Sequence, residues 1–246
     1  MSDVGIGSHA VTRDRPVVLL HGLATNASRT SRETGFVDLL EDSGRLVVAP
    51  DLPGHRGPHE PVDPAAYSDF EAQVLAELPE GPLDAVGFSL GARTLLVLAA
   101  EHPERFGRLV VAGVGANLFR RDGASRALAD LLDPPPEVEV EVEVEASEHV
   151  PTAHHFLRLS AAIGQDVRAL AALLRRPDPP EITPELLARI PHPAGGVLGG
   201  AASAGPVEPL ADALADPTVS VLRGGDHFAT PKAMGFVDAA LRHLGC

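Results

Sequence analysis

Short apolar runs alternate with stretches of helical spacing along most of the chain. The runs Pro16–Leu20, Arg45–Ala49, Leu83–Phe88, Arg108–Ala112, Gly196–Leu198 and Thr218–Leu222 predict buried strands. Between them, Glu33–Glu41 and Tyr67–Leu78 repeat at helical spacing, and Leu90–Glu101 is apolar almost throughout. Glu208–Leu214 and Pro231–Leu244 complete the helical set, while Leu52–Pro64, rich in Pro, Gly and His, reads as a loop. Such alternation predicts the α/β class, with a mostly parallel sheet and helices on both faces.

Residues 118–190 interrupt the alternation with consecutive helical segments at Ala124–Leu132, Ala153–Leu174 and Pro184–Ile190. An insertion after one strand and before the next would lie over the carboxyl edge of the sheet, where open α/β folds bind ligands. The expected organisation is therefore a core of residues 1–117 and 191–246 with a small helical cap at 118–190. Within the cap, Glu137–Glu145 reads EVEVEVEVE. Strict alternation would put four valines on one face of a strand and five glutamates on the other. A solvated low-complexity insert is the competing reading.

Composition narrows the class of partner. With 246 residues and 44% hydrophobic positions, the chain can bury a full core as one domain. Its formal charge of −14, from 34 acids and 20 bases, argues against nucleic acid and, less strongly, against anionic membranes. A neutral or cationic small molecule is the expected partner; oligomeric state stays open. Cys246 is the single cysteine, which excludes an intrachain disulfide and a cysteine metal cluster. Lys232 is the single lysine. No stretch resembles a signal peptide or a membrane span, so a soluble, cytoplasmic protein is expected.

Three stretches carry candidate chemistry. Gly87-Phe88-Ser89-Leu90-Gly91 follows one apolar run and opens the helix Leu90–Glu101. This is the strand–turn–helix context of a G-x-S-x-G nucleophile elbow, in which glycines permit the sharp turn that exposes the serine hydroxyl. His21-Gly22-Leu23 follows the first strand; in an acyl-transfer site the N–H groups of Leu23 and Leu90 would hold an oxyanion. For His21 itself, shaping the turn is the expected role. Gly224-Gly225-Asp226-His227-Phe228 follows the last strand, and His227 is the candidate base that would activate Ser89.

With Pro50-Asp51-Leu52-Pro53-Gly54-His55, these stretches make the chain resemble the α/β-hydrolase superfamily over nearly its whole length. The resemblance is to its small bacterial branch of haloperoxidase-like esterases and C–C bond hydrolases. It implies a serine hydrolase without cofactor or metal, and a structural role for Asp51. It also implies an acid on the loop after the penultimate strand, to orient the histidine. Here that loop reads Gly199-Gly200-Ala201-Ala202-Ser203-Ala204-Gly205-Pro206, with Ala202 or Ser203 where the acid is expected. Glu208, Asn117 and Asp226 are possible substitutes; otherwise Ser203, main chain or water would hold His227.

A degenerate triad predicts low turnover and leaves three readings. The first is a serine hydrolase acting on a small uncharged ester, lactone or thioester. The second is a lyase, cyclase or isomerase using the same pocket, and the third a non-catalytic binding protein. Among other groups, His149, His154 and His155 beside Glu148 predict pocket lining, with no spacing that matches a metal motif. His55, Arg56 and His59 predict a solvated loop, and Phe88 and Phe228 an apolar pocket wall.

Overall fold

A computed structural model describes residues 14–120, 123–135, 149–191, 194–199, 204–215, 217–222 and 227–246, with residues 194–199 as backbone path only. The strands are β1 (Val17–Leu20), β2 (Val47–Val48), β3 (Leu83–Phe88), β4 (Phe106–Ala112), β5 (Ala194–Gly199) and β6 (Thr218–Val221). They form one sheet in the order β2-β1-β3-β4-β5-β6, every neighbouring pair parallel.

Alternate residues of these strands feed two cores, as the period of two requires. Val18, Leu20, Leu83, Ala85, Leu109 and Val111 face one side, packed with α2 (Phe70–Glu77), α3 (Leu90–Glu101) and α8 (Glu208–Ala213). Val17, Leu19, Val86, Phe88, Val110 and Ala112 face the other, packed with α1 (Phe36–Asp42) and α9 (Met234–Leu244). Leu95, Leu96 and Leu98 of α3 are fully buried, each contributing about 1.5–3 kcal/mol relative to exposure.

Between β4 and β5 lie α4 (Ala124–Leu132), α5 (Val150–Ile163), α6 (Val167–Leu174) and α7 (Pro184–Leu187). The expected single helix Ala153–Leu174 is two. Gly164, at φ +70°, ends α5, and the Asp166 carboxylate caps α6 by accepting the Arg168 N–H. α6 is fastened to the core where Arg176 pairs with Glu71 at 2.8 Å, both buried, and lies 4.9 Å above the Phe70 ring. β2 is shorter than its apolar run because Arg45 turns into a buried ionic cluster. The alternating Glu137–Glu145 segment lies outside the described residues.

The chain leaves β1 toward the face holding α1 and leaves β3 toward the face holding α3, although the two strands are neighbours. This is a topological switch point, where the carboxyl ends of adjacent strands leave a crevice open for a ligand. His21–Leu23 and Ser89 follow those two strands.

Candidate active site

Ser89 sits at φ +52°, ψ −109°, between β3 and α3. A non-glycine residue at positive φ stores about 1–3 kcal/mol of strain that its surroundings must offset. Two glycines make the turn possible by allowing close approach. A Cβ on Gly87 would lie 2.7 Å from the Ala92 main chain, and one on Gly91 would lie 2.3 Å from the Leu20 carbonyl oxygen. The turn is pinned by Ser89 N–H to the Ala112 carbonyl at 2.8 Å and by Gly91 N–H to the His21 carbonyl at 3.1 Å.

His227 reaches the serine from the segment after β6, its Nε2 3.1 Å from Ser89 Oγ. That is the distance at which the hydroxyl can donate to a neutral imidazole. Gly113, after β4, keeps this approach open, which sequence reading missed. It has φ +70°, and a Cβ there would lie 2.6 Å from Phe88 and 3.0 Å from His227 Cε1.

The loop carrying the Leu23 N–H is held by two buried histidines. His21 donates from Nδ1 to the Gly22 carbonyl at 2.8 Å, and its Nε2 accepts the Leu52 N–H at 3.0 Å. His55 donates to the Pro53 carbonyl at 3.1 Å and accepts the Ala24 N–H at 3.2 Å. Their rings meet edge to face, 5.0 Å apart. Burial lowers His21 to a pKa of about 4, against smaller raising effects of the Gly22 carbonyl and Asp51. Burial, with His21 nearby, also holds His55 well below the usual imidazole range.

Both rings are therefore neutral, and all four ring nitrogens are committed to main chain. The expectation of a solvated loop at His55 is corrected: that side chain is a buried strut, while Arg56 and His59 are exposed. Asp51 accepts the Ala27 N–H at 2.8 Å, a main-chain contact in keeping with a structural role. Ala24 in the same loop adopts φ +58°, so two of the three non-glycine residues with positive φ among those described flank the candidate site.

No hydrogen bond engages the Leu23 N–H among the described residues. Leu90 opens α3, where the first N–H groups lack helical partners. The substitutes considered for the acid fare differently. Asn117 uses its Oδ1 to accept the Gly115 N–H at 2.9 Å, and Glu208 is exposed at the start of α8. Among the described residues no hydrogen bond joins either side chain to His227. Ala202, Ser203 and Asp226 lie outside the described residues.

Ser89 and His227 open into a cavity of about 450 Å³. Its apolar wall includes Leu23, Phe88, Phe228 and, from α5, Phe156, Leu159 and Ile163. His155 of α5 also lines it, stacked on Phe228 at 3.7 Å, whereas His154 is exposed and His149 stands at the start of α5. Among the described residues no three His, Cys, Asp or Glu side chains group as metal ligands. No described helix is long and apolar enough to cross a membrane.

Comparison with known proteins places these observations in a family. The pattern of the alpha/beta hydrolase fold matches residues 15–243. A 2-hydroxy-6-oxononadienedioate/2-hydroxy-6-oxononatrienedioate hydrolase of Burkholderia vietnamiensis is 32% identical over 118 residues, covering 46% of this chain and 39% of the relative. A pimeloyl-[acyl-carrier protein] methyl ester esterase of Aromatoleum aromaticum is 41% identical over 103 residues, 41% of this chain and 38% of that relative. The aligned stretch thus spans less than half of either relative. Among solved structures, a 2-hydroxy-6-oxo-6-phenylhexa-2,4-dienoate hydrolase from a Rhodococcus species superposes with a TM-score of 0.65 at 23% identity, covering 95% of this chain and 92% of that one. The enol-lactonase of Burkholderia xenovorans gives 0.63 at 18%, with the same two coverages.

Proposed function

Since the chain belongs to the alpha/beta hydrolase fold family, we propose that it is a serine hydrolase cleaving a small ester, lactone or thioester. The observation that carries this reading is the strained Ser89 with Oγ 3.1 Å from His227 Nε2, at the floor of a largely apolar cavity. In this reading Ser89 Oγ attacks the substrate carbonyl carbon as its proton passes to His227 Nε2. The oxyanion of the tetrahedral intermediate is held by the N–H groups of Leu23 and Leu90. Collapse breaks the bond to the leaving group, which takes the proton from His227. Water, deprotonated by the same imidazole, then hydrolyses the acyl-serine. No step needs a cofactor. Helix α5, from the segment between β4 and β5, acts as a cap that excludes water from the acyl-enzyme.

The named chemistry of the relatives supports this choice, since one is a methyl ester esterase and another an enol-lactonase. Incubation with a fluorophosphonate, followed by mass spectrometry, tests it. Labelling of Ser89 is expected, lost in Ser89→Ala and strongly reduced in His227→Ala. An unlabelled, folded wild type would overturn the reading in favour of non-hydrolytic chemistry or simple binding.

The sequence of the loop after β5 adds a second expectation. Without an acid at 202 or 203, the imidazolium formed during catalysis has less support, and turnover is low. Ser203→Asp or Ala202→Asp should then raise kcat by at least about tenfold, a fraction of the roughly 10⁴ that such an aspartate is worth in a complete triad. No gain from either substitution would show that His227 is already adequately oriented.

A further inference from the structure

The whole chain is strongly acidic, yet the described wall of the cavity carries the opposite charge. Its charged side chains are Arg29 and Lys232, and no Asp or Glu is among its described lining residues. Lys232 is also the one lysine of a chain with 34 acids. The two cations come from separate parts of the sequence. Arg29 lies in the π-helical turn Ser28–Arg32 that follows the oxyanion loop, and Lys232 in the turn Thr230–Lys232 that follows His227. These two turns pack against each other, so the cations share one side of the cavity.

Their setting keeps them available. Lys232 is exposed and has no ion-pair partner among the described residues. Arg29 makes one loose pair, Nη1 to Glu33 at 3.6 Å, with its side chain 43% exposed, leaving other guanidinium N–H groups for a ligand. Thr25 and Thr30 add hydroxyls to the same wall, 3.2 Å from each other. The rest is apolar, from Leu23 and Phe88 to Leu159 and Ile163 of α5.

We infer that the substrate carries a carboxylate besides its scissile carbonyl, and that Arg29 and Lys232 receive that carboxylate while Ser89 receives the carbonyl. The assignment of the carbonyl rests on the serine hydrolase reading above; the anion site does not. Net charge pointed instead to an uncharged or cationic ligand, because it averages over a surface that a bound ligand never meets. Within a cavity the near charges dominate, and apolar walls strengthen their pull on an anion.

The test compares 4-nitrophenyl hydrogen adipate with its methyl ester, in which a methyl group removes the terminal charge. Wild type should turn over the anionic ester with kcat/KM about tenfold higher, and the preference should shrink in 1 M salt. Arg29→Gln and Lys232→Met should each lower the anionic-to-neutral ratio by roughly three- to tenfold, and the pair should abolish it. A parallel measurement uses no turnover. Calorimetry on Ser89→Ala should show 6-phenylhexanoate binding more tightly than 6-phenylhexanamide, with the difference lost in the double variant.

Equal treatment of charged and neutral ligands in both experiments overturns the inference, whether or not the esters are hydrolysed. Equal falls for both esters in the variants would also overturn it, since they indicate a structural role. Charge-selective binding without ester turnover or Ser89 labelling would leave the anion site standing and remove the hydrolase reading.

Discussion

The two ends of the sheet treat polar groups in opposite ways. At the amino ends of the strands, Arg45 and Asp84 are buried, each 3% exposed, and joined as an ion pair. Arg45 also donates to the carbonyls of Leu244 and Arg15, and Asp84 also accepts the Arg108 N–H at 2.8 Å. Gly107 is required beside them, since its Cβ would lie 2.6 Å from the Asp84 carboxylate. At the carboxyl ends, Ser89 and Ala24 hold strained conformations, and Arg29 and Lys232 face open space. One end satisfies its donors and charges internally. The other holds them ready for something that is not protein, and the same sheet supports both.

Substitution at each end should therefore fail differently. The largest effect belongs to Ser89→Ala, expected to lower turnover of any confirmed substrate by at least about 10³ with the thermal midpoint nearly unchanged. Residual turnover within tenfold of wild type would remove Ser89 from the chemistry. Asp84→Ala should do the reverse. It leaves the Arg45 charge buried without its counter-ion, at a cost of about 3–5 kcal/mol, and lowers Tm by roughly 10 °C or more. Activity per folded molecule should survive. Loss of activity at temperatures where the variant is still folded would show that the two ends are coupled.

This contrast also explains what could be read in the sequence. β1, β3 and β4 were legible because a doubly buried strand is an apolar run; β2 is only half-buried, and the expectation of a buried strand at Thr218–Leu222 is corrected, since the edge strand β6 is largely exposed. Leu90–Glu101 was legible because it is buried almost all round. The meeting of Ser89 and His227 was legible because each stands beside glycines where a strand ends, and the fold puts His227 Nε2 3.1 Å from Ser89 Oγ. What the sequence hid depends on the third dimension. Gly113 looks like any turn glycine until Phe88 and His227 are packed against it. His55 lies in a run of Pro, Gly, Arg and His that reads as solvated, and only the fold reveals that its ring nitrogens are used by main chain. The break between α5 and α6 was visible in Gly164-Gln165-Asp166, a stop and a cap in succession, but the unbroken apolar spacing masked it. Arg29 gave no signal, because nothing in the order of residues says that its turn packs against the turn of Lys232.

The buried histidine pair offers the next effect in size. His21 has a pKa of about 4 in the fold against about 6.5 in an unfolded chain. Above pH 6.5 the ring is neutral in both states and contributes no pH dependence. Between 6.5 and 4 the unfolded chain binds a proton that the folded chain refuses, so stability falls with falling pH, by roughly 3 kcal/mol in all. His55, also lowered, adds in the same direction. Urea unfolding between pH 7.5 and 5 should show this decline, shallower by about one proton in His21→Gln. A wild-type slope no steeper than the variant's would count against neutral burial of His21.

The smallest effect tests whether the strutted loop carrying the Leu23 N–H and the helices above it move as one. Gln165, between α5 and α6, donates from Nε2 to the Thr25 carbonyl at 3.2 Å and to the His55 carbonyl at 3.1 Å. Its Oε1 is buried with no hydrogen-bond partner among the described residues. Gln165→Leu keeps most of the volume, removes that orphaned oxygen, and forfeits two hydrogen bonds worth about 0.5–1.5 kcal/mol each. Loss and gain nearly offset, so stability should change by less than about 1 kcal/mol. The tie from the helices to the loop is nevertheless gone. If α5 must be held over Ser89 for substrate to be retained, KM should rise by roughly two- to fivefold with kcat little changed. A fall in kcat at constant KM would place Gln165 in the support of the oxyanion loop instead, and the strained Ala24 turn would then depend on the helices above it as much as on His55 below.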